Sequence, residues 1–321
     1  MPCKIGLSGG VLIYNQPKAN ATGGPIYRSG SLCHCPKVST GPKIDTQVTR
    51  ARTKPSQSYM LSTIKFITGL KISEVIAPDD RMYNNEAREH YFYVGRSDLF
   101  VILNSLSVRA SYFAGDTAIS RILDFGCGHG RVTRWLRSAF PNADISVTDI
   151  DANGANFCCE KFACKETSGR LAANTYDLVW LGSVFTHLPE RPVERLMGEL
   201  CNSLAENGVL IFTSQGRYSI ERMRGFNWST DGRAWMHYNI ERQLFEDLVR
   251  QYHAKGYGYV DYPNQVGYGV SIAKPSWYSD RILSSAAMIQ ILLQEKGADN
   301  HQDVSAFMRA ELTDPRKGPL W

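Results

Sequence analysis

The 321-residue chain has no run approaching eighteen consecutive apolar residues, which excludes a membrane-spanning helix of ordinary length. No apolar stretch follows a basic start, so a secretory signal is not expected. Eight cysteines are too few and too irregularly spaced for a disulfide framework. Cys158 and Cys159 are adjacent and Cys127 sits inside a glycine loop, which suits reduced thiols and a cytoplasmic address. Metal-ligand spacing is scarce as well. Cys33, His34 and Cys35 form one short cluster with no second pair at zinc spacing, so no metal site is expected. A strong excess of one charge is missing from most of the chain. Residues 61–321 carry 28 basic and 30 acidic groups, for a net charge of −2. Phosphate contacts need a basic face, so this balance argues against a nucleic-acid acceptor.

The overall charge of +5 comes from the first 60 residues, where five Lys and three Arg face one acid, Asp45. The same stretch is 24 Gly, Pro, Ser or Thr out of 60, without sustained apolar periodicity. Such a composition buries too little surface to offset the entropy of ordering, and disorder is expected over 1–60. A basic arm for RNA or another anionic surface is the alternative use of this leader.

From about residue 75 the pattern becomes regular. An apolar-rich helix is expected over 97–109 (Leu99, Val101, Ile102, Leu103, Leu106), within a helical cap segment spanning 61–118. Strands and helices then alternate. Arg121–Phe125 reads as a buried strand, Arg131–Phe140 as a helix stopped by Pro141, and Asp144–Thr148 as a second strand. Asp151 is a good N-cap for a helix through Lys161, and Tyr176–Leu181 is another buried strand. A helix over 190–205, closed by Asn207-Gly208, precedes a strand at Val209–Thr213. This alternation predicts an α/β fold, a parallel sheet covered by helices on both faces. The aromatic-rich segment 217–265, with one helix over 240–254, reads as an insertion at the sheet's carboxyl edge. A helix near 276–287, strands near 288–294 and 303–309, and a loose tail over 311–321 complete the pattern.

The string from Arg121 to Gly130 joins a strand to a helix through Asp124, Gly126, Gly128 and Gly130. Glycines there let the backbone turn tightly and let a ligand approach, and the next helix offers free N–H groups. Asp149 stands nineteen residues after Gly130 at the end of the second strand, where an acid accepts both hydroxyls of a ribose. The dinucleotide fingerprint G-x-G-x-x-G fails, because Arg131 occupies its third glycine position.

The spacing D-x-G-x-G-x-G resembles motif I of the class I S-adenosylmethionine-dependent methyltransferases. The similarity continues through Val147-Thr-Asp149-Ile-Asp151, Tyr176-Asp-Leu-Val-Trp180, Ser183-Val-Phe-Thr-His-Leu-Pro189 and the Leu200–Thr213 pair of elements, covering roughly 120–215. The stretches Gly256-Tyr-Gly-Tyr259, Tyr268-Gly-Val-Ser271 and Pro275-Ser-Trp277 resemble those of uncharacterised bacterial methyltransferases that carry the Phe185–Pro189 segment. The resemblance implies a Rossmann-like, seven-stranded, mostly parallel sheet over 119–310, and S-adenosylmethionine as cofactor. It implies that Asp124 holds the cofactor's amino group or orders the loop. Gly126, Gly128 and Gly130 would line the methionine part, Asp149 would bind the ribose, Ile150 would lie against the adenine, and Ser183 would close the far side. One departure stands out: only 26 residues separate Asp149 from Tyr176, so the third strand is shortened near Phe162–Lys165. The family's acid after that strand is not evident, which implies either weak cofactor affinity or an adenine contact supplied from elsewhere.

Methyl transfer to a hydroxyl needs a base. His187, just after the fourth strand, and His301, two residues before Asp303, are the candidates. A flap role is open to Tyr83, His90, Tyr91, Tyr93 and Arg96. Trp228, Trp235, Tyr238, Tyr257, Tyr259 and Tyr262 form either a stacking surface for an acceptor or the insertion's own core. No Asn/Asp-Pro-Pro-Tyr/Phe follows the fourth strand, and no Pro-Cys pair suggests cytosine chemistry. The expected acceptor is an oxygen or nitrogen of a small molecule or saccharide. RNA or protein methylation, or cofactor binding without catalysis, are the alternatives.

Overall fold

A computed structural model describes residues 57–112, 118–225, 238–285 and 287–310. The leader through residue 56, Trp228, Trp235 and the tail 311–321 lie outside the described residues. Two helices come first, α1 (Gln57–Gly69) and α2 (Arg88–Ala110). The alternating part follows as β1 (Arg121–Phe125), α3 (Thr133–Ala139), β2 (Asp144–Thr148), α4 (Ala152–Phe162), β3 (Lys165–Glu166), β4 (Tyr176–Leu181), α5 (Glu190–Ser203) and β5 (Leu204–Ser214). The last third contains α6 (Arg217–Arg224), α7 (Arg242–Lys255), β6 (Tyr257–Tyr262), β7 (Gln265–Ala273), α8 (Pro275–Ser285), β8 (Met288–Ala298) and β9 (Gln302–Arg309).

The main sheet has seven strands in the order β3-β2-β1-β4-β5-β9-β8, and β9 alone runs against its neighbours. Alternation along the strands sorts the core into two layers. Ile122, Ile145, Val147, Trp180, Ile211 and Ala306 pack with Leu99, Ile102 and Trp135 on one face. Leu123, Val179, Phe212 and Phe307 pack with Val193, Met197, Tyr278 and Ile282 on the other. This is the Rossmann-like α/β sandwich expected from the strand–helix rhythm.

Three local expectations need correction. α1 already covers Gln57 to residue 60, inside the stretch assigned to a disordered leader; its low apolar periodicity hid the helix. The helix expected over 190–205 stops at Ser203. Leu204 already pairs with Tyr176, and Asn207, at φ 60°, sits in a bulge before Val209 regains register with Leu178. The insertion extends beyond residue 265, because β6 and β7 form an antiparallel hairpin that reaches Ala273. Tyr238, Phe245, Leu248, Tyr252, Val260 and Ile272 make a third small core there with Tyr262 against it, whereas Tyr257 and Tyr259 pack with the layer of Val179 and Phe212.

α2 positions the site. Ser97 Oγ accepts the Asp299 backbone N–H at 3.1 Å in the β8–β9 turn, at the carboxyl edge of the parallel strands. Twelve residues on, Arg109 Nε donates to the Asn207 carbonyl at 2.7 Å, at the opposite edge. The first half of α2 therefore lies over the carboxyl edge. Gly95 makes the crossing close: a Cβ there would stand 2.3 Å from the Arg131 carbonyl oxygen and 2.7 Å from the Trp135 ring.

Candidate functional site

β1 and β2 end side by side, and their loops are stitched together. Gly126 N donates to the Thr148 carbonyl at 2.8 Å, and Gly128 N donates to Asp149 Oδ2 at 2.7 Å. The other Asp149 oxygen accepts the Asp151 N–H at 2.8 Å, while Asp151 caps α4 by accepting from Asn153 N. One carboxylate thus spans both loops. Gly126 and Gly130 have φ of 81° and 80°, and side chains there would strike Val184 and Phe162. Gly128, at φ 51°, is different: a Cβ would meet nothing within 4 Å. Its surface faces open space, which is what close approach of a ligand requires. Ile150, beside Asp149, is fully exposed, an apolar surface ready to be covered.

Asp124 lies under the loop, 1% exposed, and accepts the Thr133 hydroxyl at 2.6 Å. Burial pushes its carboxyl up to about 7; the Thr133 bond opposes the rise and the Asp149 charge adds to it. The segment before α2 is strapped across this floor. Buried Arg134 donates from Nη1 to the carbonyls of Ser73 and Val75, each at 3.0 Å, and from Nε to the Gly130 carbonyl at 2.9 Å. Tyr91 packs under its guanidinium and donates its hydroxyl to Asp80 at 2.7 Å. Of the other flap candidates, Arg96 lies over the Tyr93 ring, and His90 stands 3.7 Å from Asp299.

Ser183 follows β4 with φ 61°, a left-handed conformation that a non-glycine residue adopts only where its surroundings insist. Its N–H donates to Thr213 Oγ1 at 2.7 Å, its hydroxyl to Gln302 Oε1 at 3.0 Å, and its carbonyl accepts from Thr186. Three strands therefore meet at Ser183.

His187 ends the short 3-10 turn Phe185–His187 and packs against the β6–β7 hairpin. Its Nδ1 lies 3.0 Å from the Gly269 carbonyl oxygen and 3.2 Å from Tyr262 Oη. A carbonyl can only accept, so Nδ1 carries the proton and Nε2 keeps the lone pair. Burial lowers its pKa from the ordinary histidine value, with the Gly269 contact opposing. Tyr268 stacks on the imidazole at 5.0 Å between centroids. Burial raises the Tyr268 phenol, and the Asp149 charge raises it further. Tyr268 thus stacks on His187, a role its place in a glycine-flanked string did not reveal.

His301 lies in the β8–β9 turn, where Arg222 Nη1 donates to its Nδ1 at 2.6 Å. Asp303 turns to the Lys296 N–H at 3.0 Å, and burial pushes its carboxyl up to about 6. Asp98, Thr133, Thr213 and Gln302 went unrecognised in the sequence. Asp98 alone had left a signal there, an acid at the start of an apolar helix.

Residues 97–256 match the family model of a methyltransferase domain. Over these residues the chain carries a methyltransferase domain. The methyltransferase domain is 25% identical over 142 residues to a malonyl-[acyl-carrier protein] O-methyltransferase of Bacillus anthracis, covering 42% of this chain and 51% of that one. It is 28% identical over 116 residues to the Acetivibrio thermocellus protein of the same name, covering 34% and 40%. The chain spans about half the length of the first of these relatives. Among solved structures, the N-methyltransferase NodS of Bradyrhizobium japonicum, in complex with S-adenosylhomocysteine, aligns with TM-score 0.41 and 16% identity over 78% of this chain and 98% of its own. A Clostridium acetobutylicum S-adenosylmethionine-dependent methyltransferase aligns with TM-score 0.45 and 13% identity over 67% and 91%.

Alanine at Gly128 separates ligand space from folding. The left-handed φ costs about 1–2 kcal/mol of stability in a residue with Cβ. Cofactor affinity should fall by more than about tenfold, because the methyl group occupies the open side of the loop. Calorimetry of unfolding and of ligand binding on the same variant checks both.

Proposed function

We propose that this chain transfers a methyl group from S-adenosylmethionine to an oxygen or nitrogen of a small molecule or saccharide, through a methyltransferase domain over 119–310 capped by 61–118. The observation that carries this reading is the stitched carboxyl edge. Asp149 ties the Gly128 loop to β2, and His187 follows β4 at the same edge of the sheet with its Nε2 lone pair unprotonated. The residues present fit the cofactor: Gly128 leaves room for it, Asp149 offers its carboxylate to a ribose, and exposed Ile150 offers an apolar seat to adenine. Gly126, Gly130 and Asp124 shape the floor under its amino-acid end, and Ser183 bounds the far side.

When bound, S-adenosylmethionine supplies a methyl group already activated on a sulfonium. The protein aligns the acceptor and takes its proton. His187 is the favoured base. Its Nδ1–H is held by Gly269, whereas the Nδ1 lone pair of His301 is taken by Arg222. His301 is left to position the β8–β9 turn. A neutral hydroxyl needs such a base and a carboxylate does not. Relatives named malonyl-[acyl-carrier protein] O-methyltransferase support an oxygen acceptor.

The test is formation of S-adenosylhomocysteine across a panel of hydroxylated small molecules, saccharides, amines, carboxylic acids, RNA and protein. Turnover on a hydroxyl or amine compound supports the reading. Turnover confined to RNA or protein, or cofactor binding with no turnover on any acceptor, contradicts it.

A further inference from the structure

Two buried side-chain oxygens at the end of β5 lack a donor. Gln215 follows β5 and is 5% exposed, and Asp303, in β9, is 2% exposed. Among the described residues, neither Gln215 Oε1 nor Asp303 Oδ2 has a hydrogen-bond partner. Both residues belong to one junction. Asp303 pairs with Ser214 across β9 and β5, and the Gln215 carbonyl accepts the Ala273 N–H at 2.8 Å where β7 ends. Gly216 is the next residue. A Cβ on it would stand 2.1 Å from Asp303 Oδ2 and 3.7 Å from the Ala273 carbonyl oxygen, so those two oxygens converge on one side of Gly216.

An ionised carboxylate held away from water is costly without a positive partner. Its other oxygen, Oδ1, accepts the neutral Lys296 N–H at 3.0 Å. The basic side chains next to the junction are engaged elsewhere. Arg217 donates to both oxygens of Glu295, at 2.6 and 2.5 Å, and the Lys296 ammonium lies 4.2 Å from the centre of the Tyr218 ring. The donor set restricts what can fill the gap. It consists of hard oxygens carrying one negative charge, which balances a single positive charge, whereas divalent ions draw on fuller oxygen shells. Among the described residues no three His, Cys, Asp or Glu side chains are grouped to hold a metal, which argues against a transition metal as well.

We propose that Asp303 Oδ2, Gln215 Oε1 and the Ala273 carbonyl bind a monovalent alkali cation, sodium or potassium. The ion ties the β6–β7 hairpin to β5 and β9. It does so one residue from Gln302, which accepts the hydroxyls of Ser183 and Thr213. Burial pushes the Asp303 carboxyl up to about 6, and a bound cation returns it to the charged form. The inference stands apart from the cofactor reading above.

The test is the melting temperature of the full chain in sodium, potassium or choline chloride at equal ionic strength, for wild type and Asp303→Asn. Choline is too large for three converging oxygens and keeps screening constant. Wild type should melt about 2–4 °C higher in at least one alkali chloride than in choline chloride. Asp303→Asn should show no such difference, and in choline chloride it should melt at or above wild type, because an unpaired buried charge has been removed. Wild-type crystals grown with rubidium chloride should show an anomalous peak between Asp303 and Gln215, a reading that does not depend on how the variant folds. Equal melting temperatures in all three salts, or no rubidium peak, leave a water or a proton as the partner and overturn the proposal. A salt effect that persists in Asp303→Asn places the ion elsewhere and overturns it too.

Discussion

Replacing His187 by glutamine should lower kcat on a hydroxyl acceptor by roughly 10²–10⁴-fold, the usual worth of a positioned base. Affinity for S-adenosylhomocysteine should stay within about twofold, since the ring binds the hairpin and not the loop of β1. The reason lies in one carbonyl. Gly269 holds the Nδ1 proton at 3.0 Å, which leaves the Nε2 lone pair as the base. Burial lowers the pKa, so the neutral, active form persists below the pH at which an ordinary histidine protonates. Wild-type activity should therefore fall only as the medium becomes more acidic than that value. In the glutamine variant this acid limb should disappear. A kcat that is unchanged, or a loss of cofactor affinity matching the loss of rate, contradicts the assignment.

Alanine at Asp149 should weaken binding of S-adenosylmethionine and S-adenosylhomocysteine by at least about a hundredfold. Hydrogen bonds to a charged group contribute roughly 1.5–3 kcal/mol each, and about 1.4 kcal/mol is tenfold in affinity. The Asp149 carboxylate already binds two backbone N–H groups, from Gly128 and Asp151, and retains acceptor sites for a ribose. Its removal both frees the loop and deletes the sugar contact. Asparagine should recover part of the loss, because its one carbonyl oxygen can keep one of the two tethers. Equal affinities for wild type and the alanine variant would mean that the ligand does not lie on this carboxylate.

Much of this arrangement was legible in the residues because it is local. The strand at Asp144–Thr148 is where alternation and the Asp151 cap placed it, and the glycine loop lies between β1 and α3 as its spacing required. The shortened third strand is real, with only Lys165 and Glu166 paired to β2. What stayed hidden depends on contacts between distant segments. Tyr268 reaches His187 only because β6 and β7 fold back as a hairpin, and that pairing is written in no short period. Gln302 meets Ser183 and Thr213 because β9 inserts antiparallel beside β5, 89 residues after Thr213 in sequence. The helix closing at Asn207-Gly208 was a misread turn signal: the same residues serve a bulge entering β5.

The central claim is that the carboxyl edge at Gly128 and Asp149 binds a methyl-cycle cofactor. Titration calorimetry of the full chain with S-adenosylhomocysteine, with NAD as control, tests it most directly. The account predicts saturable, enthalpy-driven binding of S-adenosylhomocysteine and none of NAD, because Arg131 fills the third glycine position of the dinucleotide loop. No heat with S-adenosylhomocysteine, or equal binding of NAD, would contradict it.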